Sequence, residues 1–170
     1  MFIVLNGPLG IGKSTLAEAL AESIESCVML SGDCLLAVNP PPADDLAYLH
    51  STIALLVAHH RSAGYRHFVI EHAWRTPAQL GDLRRRLIAI ESDAEIRCFL
   101  LTLPPDENLR RIERRQRARA LDEVAFELRT FAEERDVLAN RADVGERFDV
   151  SAPPGELVAT MLARLGLARG

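Results

Sequence analysis

The sequence predicts an α/β fold, a parallel sheet covered on both faces by helices, and three observations carry that reading. Short apolar runs alternate with longer segments of helical spacing along the 170 residues. A glycine-rich stretch, Gly7 to Ser14, joins the first apolar run to the first helical segment. Cap and turn residues such as Gly64, Thr76, Pro77, Pro104 and Pro105 stand at the junctions.

Taken in order, Phe2 to Leu5 reads as a strand and Ser14 to Ile24 as a helix. Cys27 to Leu30 is a second strand ending at Ser31, Gly32 and Asp33, with a short helical piece through Val38 and a break at Asn39 to Pro42. Asp44 to Ala63 is a long helix stopped by Gly64, and His67 to Glu71 a compact apolar strand. Thr76 caps the next helix with Pro77 in its first turn, and Leu80, Leu83, Leu87 and Ile90 give it an apolar stripe. Ile96 to Thr102 is the most apolar strand, followed by an arginine-laden helix from about Asp106 to Arg117 and another over Asp122 to Leu138. Arg147 to Val150 makes a fifth strand and Pro154 to Leu167 a final amphipathic helix. This is one domain, residues 1–170, with a short lid expected around 114–121.

The glycine stretch reads Gly7, Pro8, Leu9, Gly10, Ile11, Gly12, Lys13, Ser14, an instance of GxxxxGK[ST] between strand and helix. Its glycines let the backbone turn tightly, so that consecutive amides and the helix amino end face an anion. Lys13, the only lysine in the chain, adds a point charge for the outer phosphates of ATP. Ser14 can place its hydroxyl on Mg2+, with Thr15 beside it.

In a parallel sheet ligands bind outside the carboxyl ends of the strands. That rule directs attention to Asp33 after the second strand and to Glu71, His72 and Trp74 after the third. Asp33 is a candidate catalytic base, or else a cap of the short helix. Glu71 is a candidate metal carboxylate, an alternative base, or an acceptor contact. His72 and Trp74 are substrate candidates that can equally belong to the core. Six arginines lie between Arg110 and Arg119, and a helix cannot turn all of them to water on one face. Arg114, Arg117 and Arg119 are the candidates to meet phosphoryl charge from a lid, with Arg110 and Arg111 expected in solvent.

A formal net charge of -4, from 20 basic and 24 acidic residues, argues against a long nucleic acid as partner. Cys27, Cys34 and Cys98 fit neither a disulfide framework nor a zinc site. Thr52 to Ala58, the longest apolar stretch, is too short for a membrane span, and Met1 leads straight into the first strand, so a cytoplasmic protein is expected. Asn140 to Asp143 reads NRAD in place of NKxD, no DxxG follows a strand and no LSGGQ-type signature occurs, which excludes the GTPase and transporter ATPase readings.

The stretches IVLNGPLGIGKS, SGDCLLAVNP, HFVIEHAW, LRRIERR and FDVSAPPGEL together resemble the small P-loop kinases of nucleoside-monophosphate-kinase-like fold. Within them the chain looks most like chloramphenicol phosphotransferase and tunicamycin-resistance type proteins. The resemblance implies a three-layer fold with a five-stranded sheet in order 2-3-1-4-5, ATP as donor, Mg2+, Asp33 as base and a lid arginine. Glu71 and His72 stand where such kinases often carry aspartates, and the lid lacks zinc-binding cysteines. The expected activity is ATP-dependent phosphoryl transfer to a hydroxyl of a small metabolite or antibiotic. A nucleotide or polynucleotide kinase and a non-catalytic ATP-binding regulator are the competing readings, and oligomeric state stays open.

Overall fold

Strand β1, Phe2–Asn6, is buried at all five positions, as befits the middle of a sheet covered on both faces. Its side chains alternate between two cores: Ile3 and Leu5 pack on one face, Phe2 and Val4 on the other. In this computed structural model, which describes residues 1–116, 129–134, 138 and 142–168, five parallel strands lie in the order β2-β3-β1-β4-β5. The others are β2 Cys27–Ser31, β3 His67–His72, β4 Ile96–Thr102 and β5 Glu146–Asp149. The expected fold class and strand order are the observed ones.

Helix α1, Lys13–Ser23, and α6, Pro154–Arg164, cover the Ile3 and Leu5 face. Helices α3, Asp45–Ser62, and α4, Pro77–Ile90, cover the other. The starts of α3 and α4 have local causes. The Asp44 carboxylate accepts from the Ala47 amide at 2.9 Å, and Thr76 with Gln79 forms a capping box ahead of Pro77. The short α2 is Gly32–Leu35, ending before the expected Val38, and α5 is Pro105–Gln116. Of the helix expected over Asp122 to Leu138, residues 129–134 are described as a continuous helical stretch and 138 as helical, the remainder lying outside the described residues.

Strand register decides which side chains can meet at the edge of the sheet. Ser31 pairs with Glu71, Leu5 with Glu71 and Asn6 with His72, which sets the carboxyl ends of β1, β2 and β3 level with one another. All three cysteines are free thiols. Among the described residues no helix is long and apolar enough to cross a membrane.

Candidate functional site

Asn6 ends β1 and is fully buried, and it uses its whole amide. Nδ2 donates to the Trp74 and Val144 carbonyls at 2.9 and 3.1 Å, and Oδ1 accepts from the Gly7 and Trp74 amides at 2.9 Å each. The residue thus ties the start of the glycine loop to the chain leaving β3. A lone polar residue closing an apolar strand is the sequence signal that could have singled it out.

Beyond Asn6 the loop wraps the amino end of α1. Lys13 is 8% exposed, and its ammonium donates to the Gly7 and Pro8 carbonyls at 3.0 and 3.1 Å. The Lys13 charge is therefore turned inward, against carbonyls of the loop itself. Gly10 has φ +76°, and a Cβ there would sit 2.3 Å from Ile112 Cγ1, so α5 presses directly on the loop. Asn108 Nδ2 donates to the Leu9 carbonyl at 3.4 Å.

Arg111, expected in solvent, is instead part of this clamp. Its guanidinium donates to the Ile11 carbonyl at 3.4 Å, the Val150 carbonyl at 3.0 Å and Glu107 Oε1 at 3.1 Å. Carbonyl oxygens from the loop and from the end of β5 draw it off the helix surface, and only tertiary structure brings them there. Glu134, which no sequence signal marked, is also buried, with Oε2 accepting from the Leu9 amide at 2.8 Å and Oε1 from Arg75 Nη2 at 3.2 Å.

At the ends of β2 and β3 the level register sets Ser31 beside Glu71. Glu71 is 1% exposed, and its Oε1 accepts from Ser31 Oγ at 2.6 Å and from Ser14 Oγ at 3.4 Å. Its second oxygen, Oε2, is buried without a hydrogen-bond partner among the described residues. A carboxylate with an orphaned oxygen next to a serine hydroxyl is a hard oxygen set, fitting a magnesium ion that keeps most of its own water.

Asp33 lies one turn further out. The cap position of α2 is Ser31, so the Asp33 side chain is not taken up as a helix cap. It is 71% exposed, with Oδ1 3.5 Å from His72 Nδ1, a polar contact rather than an aligned hydrogen bond. The His72 imidazole holds the Asp33 carboxyl below its ordinary value against the opposing effect of desolvation, and the Lys13 ammonium adds to the lowering. Gly32 permits this closeness, since a Cβ there would lie 2.6 to 2.8 Å from the His72 ring and Cβ.

Trp74 is fully buried, its indole N–H donating to His50 Nε2 at 3.0 Å while the His72 ring stands edge-on at 5.4 Å. It backs His72 from inside the core. Arg114 is exposed and borders a cleft with Gly12, Thr15, Arg111 and Pro154 on the α1 and α6 side. Arg117 and Arg119 lie outside the described residues, as does most of the lid expected around 114–121. A second cleft opens on the α3 and α4 side, lined among others by Asp44, His72, Arg75 and Glu134. Ser14 meets Glu71 and Asp33 meets His72, and His72 in turn lines this second cleft.

A 2-3-1-4-5 parallel sheet with this loop after its central strand defines a P-loop domain of kinase-like fold. The model of the AAA domain family matches residues 2–141, and the chain belongs to that family. Three solved structures share the fold. The tunicamycin resistance protein of Deinococcus radiodurans is 16% identical with TM-score 0.69, over 99% of this chain and 98% of that one. A gluconokinase from Sinorhizobium meliloti is 20% identical with TM-score 0.65, over 96% and 91%. The shikimate kinase of Bacteroides thetaiotaomicron is 16% identical with TM-score 0.60, over 98% and 99%. No curated protein matches the sequence.

Proposed function

We propose that this protein is an ATP-dependent phosphotransferase that moves the γ-phosphoryl group to a hydroxyl of a small metabolite or antibiotic. The observation that carries the reading is the meeting of Ser14 with Glu71 at the mouth of the glycine loop while Asp33, 71% exposed, stands free of that pair. Two carboxylates in unlike settings take unlike tasks.

In this scheme the loop amides and Lys13 hold the phosphates, and the Arg111 side packs the loop from behind. Ser14 Oγ and the Glu71 carboxylate would hold magnesium, which supplies charge to stabilise the outer phosphates. Asp33 accepts the acceptor hydroxyl proton as the new P–O bond forms and the bond to the β-phosphate oxygen breaks. A carboxyl held below its ordinary value is ionised at neutral pH and ready for that proton. His72 Nδ1, 3.5 Å from Asp33 Oδ1, would orient the carboxylate, and Arg114, with Arg117 and Arg119, would meet phosphoryl charge as a lid closes. The Glu71 carboxylate, 1% exposed, is too enclosed to receive a proton from a bulky acceptor, which favours Asp33 as the base.

Incubation with γ-labelled ATP, magnesium and a panel of hydroxyl metabolites and antibiotics tests the proposal. Label on a small hydroxyl compound supports it. Label on a nucleotide, or none on any acceptor, argues for the other two readings.

A further inference from the structure

Resting on the phosphotransferase reading, we propose that the acceptor is a hydroxyl compound bearing a basic nitrogen, received by the carboxylates of Asp44 and Asp45, and that the buried Glu134 excludes acceptors recognised through a phosphate or carboxylate. The cleft on the α3 and α4 side has a volume of about 550 Å³, and Leu36, Leu46 and Ala73 supply apolar wall for a carbon skeleton.

Acidic side chains outnumber basic ones among the described lining residues, with Asp44, Asp45 and Glu134 against Arg75. Among the described lining residues Arg75 is the only arginine or lysine, and its Nη2 donates to Glu134 Oε1 at 3.2 Å. The Glu134 side chain is 7% exposed and its other oxygen is fixed by the Leu9 amide at 2.8 Å, so the carboxylate cannot swing aside without opening the loop. An incoming acid would have to compete for Arg75 with an anion already seated and aligned. It would also face Asp44 and Asp45, both exposed at the amino end of α3. Asp44 caps the helix by accepting from the Ala47 amide at Oδ1, and both aspartates line the cleft. An ammonium meets attraction where a phosphate meets repulsion, and discrimination of this kind comes mainly from the penalty on the wrong partner.

Protein saturated with magnesium and a non-hydrolysable ATP analogue is titrated calorimetrically with glucosamine, glucose and gluconate, three probes of one hydroxyl skeleton and different charge. Glucosamine is expected to bind about tenfold more tightly than gluconate. Asp45→Asn should remove most of that preference with affinity for the analogue unchanged. Glu134→Ala should raise gluconate affinity about fivefold or more by releasing Arg75. The proposal is overturned if gluconate binds as tightly as glucosamine, if Asp45→Asn leaves the preference intact, or if none of the three binds up to about 50 mM. Loss of binding by the ATP analogue itself is a different failure, one of the donor site, whereas anion preference above intact analogue binding defeats only the charge assignment.

Discussion

Replacing Gly10 with alanine should damage the glycine loop through two separable effects. The residue sits at φ +76°, where an L side chain costs roughly 1–2 kcal/mol. Its new Cβ would lie 2.3 Å from Ile112 Cγ1 and 2.9 Å from Cδ1. Ile112 is 1% exposed and has nowhere to retreat, so overpacking adds about 1–3 kcal/mol. The sum, about 2–5 kcal/mol, corresponds to a melting temperature lower by about 4–20 °C in a domain of this size. Ile112→Ala alone should cost about 2–5 kcal/mol through the cavity it leaves.

The double variant separates clash from backbone strain. With Ile112 truncated the added methyl finds space, so the combined cost should fall short of the sum by about 1–3 kcal/mol, while the left-handed penalty remains. Urea unfolding followed by the fluorescence of Trp74, the single tryptophan, gives all three values. Additive costs within about 0.5 kcal/mol would refute the contact between loop and α5, as would an unaffected Gly10→Ala.

Asp33→Asn should lower turnover about 10²- to 10⁴-fold with ATP affinity changed less than about threefold, since this exposed carboxylate caps no helix. A parallel loss of thermal stability would point to a structural role instead. Glu71→Gln should abolish the gain in ATP affinity that magnesium confers while leaving magnesium-free binding in place, and equal magnesium dependence in both proteins would contradict its metal role. His50 donates from Nδ1 to Asp82 at 2.7 Å and accepts at Nε2 from Trp74, which assigns a neutral ring whose pKa burial holds below 6.5. The Asp82 carboxyl is lowered in turn, chiefly by that same imidazole, so a neutral histidine faces an ionised aspartate. The unfolded chain then binds the proton more tightly, so stability is full above about pH 6.5 and declines below it. Melting temperature should drop between pH 7.5 and 5.5, and drop less in His50→Gln, where the remaining decline includes His67, also lowered by burial. No drop, or one of equal size, would contradict the neutral ring.

Much of the fold is legible because buried parallel strands leave unbroken apolar runs. Ile96–Thr102 matches its expected limits, and the Thr76 cap with Pro77 marks α4 to the residue. The glycine loop is legible for a different reason, since its spacing is itself the chemistry. Strand order comes from family resemblance, because local periodicity carries no information on which strands pair. Arg111 departs from its expected place in solvent for the same cause: its fixing partner, the Val150 carbonyl, is 39 residues away in sequence. Glu134 lies 125 residues from the amide it holds and gives no local sign at all. For Trp74 the sequence allows pocket or core, and burial decides between them only once α3 brings His50 to its indole.

Whether the glycine loop and Lys13 grip a triphosphate is read most simply by isothermal calorimetry of ATP with magnesium, on the wild-type chain and on Lys13→Ala. The wild type should give a saturable one-site isotherm that the variant loses, with both proteins showing the same cooperative unfolding. Folded wild-type protein that gives no binding heat across a range of temperatures, or a variant that binds as the wild type does, would contradict the assignment of a nucleotide site.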